Sequence, residues 1–288
     1  MYNKHSRKIM QKYLVLLLLI KTLYASAYDN KLELGVKTSF YNYTERNDED
    51  QILDTEKSSI LDMGGVYASY DHKLKEITTS KEHVAHYINV YTSIAYGETE
   101  YKGSTLGSAQ GYGSLISRTA HAFYEIQGNL KRVQFYENGS RYIAFGFGRE
   151  VWERALSSNQ IETYTYDFAQ IAVGGDVRFY QNLSIGIDLT GQIGFNPKMK
   201  ASINSDSGVL NETYSLGSVY SYKVAAPLII PIGKQVNFKT KLEYEFTSFS
   251  ESNIIVTPSF TPCSTTGCFQ PKSQQKNWNL SAGFEFEF

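Results

Sequence analysis

The sequence predicts an all-β fold: a transmembrane antiparallel up-and-down β-barrel of about ten strands, with eight or twelve also open. Three observations carry this. An export signal opens the chain, period-two alternation of apolar and polar residues dominates the remaining sequence, and short and long connections take turns between the alternating segments.

The first residues read as an address. Lys4, Arg7, Lys8 and Lys12 form a basic region, Tyr13 to Ile20 an apolar stretch, and Ala25-Ser26-Ala27 a small-residue cleavage site. A short anchoring helix is the alternative, but Lys21 interrupts the apolar run and the stretch falls short of a span. Residues 1–27 are therefore expected to be a signal peptide, with the barrel domain over 28–288.

Composition narrows the classes. Twenty-eight Lys+Arg nearly cancel twenty-nine Asp+Glu, so the chain offers no electrostatic footprint for nucleic acid. Mean hydropathy is -0.34, and beyond the N-terminus no apolar run approaches the roughly 20 residues of a spanning helix. A membrane crossing must then be made by strands, whose lumenal positions stay polar and dilute the average.

Alternation is clearest in the last segment. Trp278, Leu280, Ala282, Phe284, Phe286 and Phe288 share one face, and Asn279, Ser281, Gly283, Glu285 and Glu287 the other. Val236, Phe238, Leu242, Tyr244 and Phe246 repeat the pattern against Lys239, Lys241, Glu243 and Glu245. Leu183 to Ile193 and Leu32 to Phe40 do so again. Less regular candidates near 58–70, 84–97, 117–136, 141–149, 164–179 and 214–230 bring the total to about ten. Tyr180-Gln181-Asn182, Glu137-Asn138-Gly139-Ser140 and Pro231-Ile232-Gly233-Lys234 read as short periplasmic turns. Stretches near 45–57, 98–116, 150–162, 195–213 and 250–275 read as long external loops, and Asp71 to His83 is long for a periplasmic turn. A secreted β-sandwich also alternates, but its hidden face would be bulky and dry, whereas these polar faces carry Lys, Glu, Asp and Gly.

Cys263 and Cys268 lie in a Pro/Ser/Thr-rich segment with no histidine nearby, so a local disulfide is expected rather than a zinc site. Closing so short a loop adds only about 2 kcal/mol, enough to stiffen one loop.

The segment Asn279-Leu280-Ser281-Ala282-Gly283-Phe284-Glu285-Phe286-Glu287-Phe288 resembles the closing strand of Gram-negative outer-membrane β-barrel proteins. The resemblance implies a bacterial outer-membrane location, a surround of lipid and lipopolysaccharide, and insertion by the barrel-assembly machinery, which reads a terminal aromatic. In size and strand number the chain is similar to ten-stranded barrels, among them the omptin surface proteases and a neisserial adhesin. Omptins carry an aspartate pair and an Asp-x-His element. Here, beyond the signal segment, the histidines are His72, His83, His86 and His121, and none stands two residues after an aspartate.

Other motifs have plainer readings. His83 and His86 fall on opposite faces of a strand, and the Glu45-Arg46-Asn47-Asp48-Glu49-Asp50 run lacks a calcium loop's central glycine and reads as solvated charge. Ala144, Gly146 and Gly148 are expected to face a crowded lumen opposite Ile143, Phe145 and Phe147. Arg149, Arg154, Lys198 and Lys200 are placed near the outer rim, within reach of lipopolysaccharide phosphates. The lumen is expected to hold a mixed-sign set that includes Lys239, Lys241, Glu243, Glu245, Glu285 and Glu287. Lys239 should face Glu285 or Glu287 across the last strand pair, and Lys241 should lie beside Glu285 or Gly283. Ten strands lie near the filled end of the barrel series, so opposite charges should cross-link a plugged or narrow interior. The expectation is a non-enzymatic barrel without cofactor or metal. It would act through external loops on a host or surface ligand, or as a narrow conduit; the alternative is an omptin-like hydrolase with an atypical rim site.

Overall fold

The computed structural model describes residues 30–80, 82–104, 111–180, 183–206 and 208–288. The expected signal peptide and Gln181-Asn182 lie outside them. Twelve strands run in order: β1 (Lys31–Arg46), β2 (Ile52–Lys57), β3 (Met63–Thr78), β4 (His83–Gly103), β5 (Leu115–Tyr136), β6 (Gly139–Ser157), β7 (Gln160–Tyr180), β8 (Leu183–Ser205), β9 (Gly208–Ser215), β10 (Val219–Pro231), β11 (Val236–Phe249) and β12 (Lys272–Glu287). Neighbours pair antiparallel, and β12 closes on β1 through an unbroken register from Lys31↔Glu287 to Arg46↔Lys272. No sheet edge is left along the wall, as closure in lipid requires.

The ten expected strands become twelve because two are interrupted. β2 and β3 both run antiparallel to β1, at Asn42↔Lys57 and Thr38↔Gly64. They are one wall position broken by residues 58–62. β9 and β10 likewise share β8, at Lys198↔Ser215 and Gly194↔Val219. The barrel therefore has ten positions around its wall.

Strands β4 to β8 run 19 to 23 residues, about twice the 9 to 11 that cross a bilayer. This corrects the loop reading. Residues 150–162 and 195–213 are largely strand, with β6 and β7 meeting over Ser158 and Asn159, and β4 extends through Gly103 into the stretch read as the 98–116 loop. Asp71 to His83 is also mostly strand, since β3 continues to Thr78.

The side-chain pattern explains the length. Near the short-turn end the outward positions are apolar and exposed: Val36 and Phe40 on β1, Phe145 and Phe147 on β6, Ile187 and Leu189 on β8, Leu280 and Phe284 on β12. Further along the same strands the apolar residues change parity and point inward, as Tyr41 and Tyr43 do on β1 and Trp152 on β6. On β8 the change follows a register shift beside Asn196, which takes a positive φ of 51°. Below the switch the exterior solvent is hydrocarbon; above it the exterior is water and the barrel makes its own core. Glycines at 35 and 283 leave the slot that Tyr67 fills in the lower lumen, where a Cβ on either would collide with its ring or hydroxyl.

The belt makes a direct prediction. Phe284→Arg should destabilise the barrel by about 2 to 4 kcal/mol if it lies near the midplane, whereas Lys200→Ala, exposed above the belt, should stay within about 0.5 kcal/mol. Heat-modifiability on gels and urea midpoints read the difference; equal losses would contradict the assignment.

Candidate functional site

Above the apolar belt the barrel interior is closed by side chains from many strands. Tyr41 and Tyr43 enter from β1, Trp152 from β6, Tyr164 and Phe168 from β7 and Phe249 from β11. Trp152 stacks on Tyr164 with ring centroids 4.3 Å apart, and Tyr43 meets Trp152 edge-on at 5.3 Å. Phe260 and Cys263 reach in from the segment before β12, where Cys263 is bonded to Cys268. Each buried ring contributes about 1.5 to 3 kcal/mol by leaving water.

Arg154 stands among these rings, 1% exposed. Its Nε donates to Glu56 at 2.6 Å, its Nη2 to Asp54 at 2.9 Å, and its Nη1 to Glu45 at 3.1 Å and Glu162 at 2.9 Å. The guanidinium also lies over the Tyr43 ring, 4.6 Å from its centroid. Period two accounts for the convergence: Glu45 follows Tyr41 and Tyr43 on β1's inner face, Asp54 and Glu56 share β2's, and Arg154 follows Trp152 on β6's.

Arg154 and Glu45 therefore overturn two sequence expectations. Arg154 is not a rim cation facing lipopolysaccharide, and Glu45 is not solvated charge. Arg149, five residues below, does face outward, paired with Asp167 at 2.7 Å. Lys198 and Lys200 are exposed.

Four carboxylates share one guanidinium out of water, and their ionisation splits. Burial pushes the Glu56 carboxyl up, but Arg154 and the hydrogen bond from His121 outweigh it and hold the group down at about 2. Burial and then the charge of Asp54 prevail at Glu45, raising it to about 8. Burial also raises Asp54 and Glu162 against the pull of Arg154. Near neutral pH Glu45 thus holds a proton that an exposed carboxyl would release.

His121 completes the network. The Trp152 indole, a donor only, gives its hydrogen to Nδ1 at 3.0 Å. Nδ1 is then an acceptor, and Nε2 carries the proton toward Glu56 at 2.6 Å and near Thr99 at 2.9 Å. A histidine bonded to a carboxylate invites a general-base reading, yet both side chains are fully buried. Gln270 ties the loop over this core by donating to Glu45 at 2.6 Å. Among the described residues, one buried oxygen each of Asp54 and Thr119 finds no hydrogen-bond partner.

Below the core lies a cavity of about 270 Å³. The expected lumenal residues are here or at its lower mouth. Lys239 bridges Glu33 at 2.7 Å and Glu285 at 3.0 Å, and Lys241 pairs with Glu243 at 3.0 Å. Glu245 receives Lys223 at 2.9 Å, and Glu287 meets Lys31 at 2.7 Å at the strand ends. The ladder register differs from expectation: Lys239 stands opposite Gly283 and Lys241 opposite Ser281. Lys239 reaches Glu285 diagonally, over the gap its glycine partner leaves. The cavity wall carries five lysines (37, 131, 223, 239, 241) and five acids (33, 125, 188, 243, 245), so its formal charge cancels. Ala144 lines this cavity, as its parity predicts.

A closed ten-position wall, an apolar lipid belt and a charged interior now stand together. The chain has the fold of an outer-membrane β-barrel. No family model matches it and no curated protein does. Among solved structures it is similar to the outer membrane protease OmpT of Escherichia coli, at 9% identity over 92% of this chain and 99% of that one, with a TM-score of 0.47. It is also similar to the translocator domain of the autotransporter NalP from Neisseria meningitidis, at 9% identity over 99% and 97%, TM-score 0.41. OprG from Pseudomonas aeruginosa follows at 8% identity over 91% and 98%, TM-score 0.32. A fold alone does not fix an activity, so the barrel's own interior must supply the functional reading.

Proposed function

We propose that this barrel is a non-enzymatic surface protein whose activity resides on its outward-projecting strands and loops, as a platform for binding a host or surface ligand. One observation carries the reading: the outer half of the lumen is filled by a continuous core in which Arg154 is 1% and Phe168 0% exposed. A solute crossing the membrane would have to displace both the rings and a guanidinium held by four carboxylates. A peptide would meet the same barrier before reaching His121 and Glu56, so the hydrolase reading lacks a substrate path. The strands above the belt lift the loops away from the lipid on a rigid, buried-core pillar, where loop residues can vary at little cost to the fold.

The narrow-conduit reading rests on the lower cavity, whose balanced charges would give little ion selectivity. Planar-bilayer recording separates the two. The refolded barrel should show small or absent conductance; large, steady currents of general-porin size would overturn the closed-lumen reading in favour of a diffusion channel.

A further inference from the structure

We propose that the barrel binds a free α-amino acid at the top of its inner cavity, with the ammonium held by Glu150 and the carboxylate by Lys37. A smaller chamber of about 50 Å³ sits above the cavity of about 270 Å³ and shares Lys37, Glu125, Glu245 and Asn279 with it, so the two are continuous. Tyr41 and Phe123, from the aromatic core, roof the chamber. The opening lies toward the short turns: the charged side chains go from 14% exposed at Lys223 to 21% at Lys239, 32% at Lys31 and 40% at Glu287. A small solute would enter from that end and stop beneath the rings.

Two charges in this chamber lack an opposite. Lys223 serves Glu125 at 3.5 Å and Glu245 at 2.9 Å, and Lys239 and Lys241 have carboxylates of their own. Among the described residues Lys37 and Glu150 make no ion pair: the Lys37 ammonium donates to the Ser93 hydroxyl at 2.8 Å, and Glu150 accepts from the Tyr166 hydroxyl at 2.8 Å. Three buried groups complete the set. Tyr41 is 1%, Gln275 2% and Asn277 7% exposed, and all three line the chamber. Among the described residues the Tyr41 hydroxyl, the Gln275 amide nitrogen and the Asn277 amide oxygen find no hydrogen-bond partner. A polar atom buried without a partner is costly, and three around one chamber point to a polar occupant.

The chemistry of the set selects the ligand. Lys37 and the Gln275 N–H donate, Glu150 and the Asn277 Oδ1 accept, and the Tyr41 hydroxyl does either. A bare metal ion would leave both donors unused, and among the described residues no group of three or more histidines, cysteines and acids is placed to hold one. A neutral sugar would leave both full charges unmatched. A zwitterion answers each of them. Ser93 stands opposite Glu125, and Glu125 opposite Glu150, so the anchor of the Lys37 ammonium and the backbone of Glu150 are two strand spacings, about 10 Å, apart. An ammonium and a carboxylate on one carbon lie about 3 Å apart, and a charge-assisted hydrogen bond of about 2.8 Å on each side lets them bridge that gap. With its head group in the chamber, the amino acid's side chain projects down into the larger cavity.

The test titrates the refolded full barrel by calorimetry with L-glutamine and L-serine, and with glutamine blocked at one end as N-acetylglutamine or as glutaminamide. Both free amino acids should bind saturably, and each blocked form should bind about tenfold more weakly, the scale of one hydrogen bond to a charged group. Glu150→Gln should weaken glutamine by about tenfold and leave N-acetylglutamine unchanged, because that form has no ammonium to lose. Lys37→Met should weaken glutamine and leave glutaminamide unchanged. A loss of packing would instead weaken every form alike, which separates recognition from a structural role. Heat-modifiability shows whether each variant is folded, and the comparison of free with blocked ligands on the unaltered barrel decides without any variant. No saturable binding of either amino acid, equal affinity for free and blocked forms, or variants that weaken all forms alike would overturn the proposal.

Discussion

Replacing Arg154 by methionine should destabilise the barrel by about 3 to 5 kcal/mol, the scale of stripping one partner from a buried ionic cluster. The side chain is 1% exposed and satisfies Glu45, Asp54, Glu56 and Glu162 at once. Methionine keeps most of the volume against Tyr43 but leaves four carboxyls facing one another in a low-dielectric space. Protonation relieves part of the strain, so the loss should be smaller at pH 5 than at pH 8. Glu45→Gln/Glu162→Gln on the Arg154→Met background should recover part of the stability by removing two of the orphaned acids. Urea midpoints report the global term, and trypsin cleavage at Lys272 reports loosening of the loop that Gln270 ties to Glu45. A change within 1 kcal/mol with unaltered proteolysis would mean that the rings hold the outer half closed without the ion cluster.

The wall was legible in the sequence because lipid imposes a single parity. Where hydrocarbon lies outside, Leu34, Val36 and Phe40 point out and Glu33 and Lys37 point in, and alternation alone recovers the strand. Closure by Phe288 follows from the same rule. The outer core was not legible as core, because its apolar parity is the opposite one. Tyr41, Tyr43 and Glu45 continue β1 without a break, yet they read as the start of a polar loop once apolar residues leave the lipid face. Recording polar-out, aromatic-in alternation in Tyr41-Asn42-Tyr43-Thr44 and Tyr164-Thr165-Tyr166 would have signalled a strand above the membrane. Arg154 had no such signal of its own. Nothing local distinguishes a rim arginine from one buried among four acids supplied by three other strand positions up to 109 residues away. The register of β11 on β12 was likewise hidden, since two-residue slips preserve every parity.

Raising the pH from about 5 to 9 should loosen the outer core while the lipid-spanning wall stays intact. The direction is set by which state holds the proton. An exposed Glu45 would ionise near 4.5, whereas burial raises it to about 8 in the folded barrel. Between those values the native state binds the extra proton, so stability falls as pH rises through the window. Asp54 and Glu162, also raised by burial, act in the same direction. Glu56 acts oppositely: held at about 2, it adds stability above 4.5 that disappears only as pH falls through 2, outside this range. The chain's two tryptophans allow a clean reading. With Trp278→Phe, emission comes from Trp152 alone, packed on Tyr164 and bonded to His121. Acrylamide quenching of Trp152 should rise with a midpoint at about 8, and Glu45→Gln should flatten that rise by removing the group that charges. Quenching that is flat from 5 to 9 in the parent, or a rise unchanged in Glu45→Gln, would place the control of this core elsewhere than in its shared carboxylates.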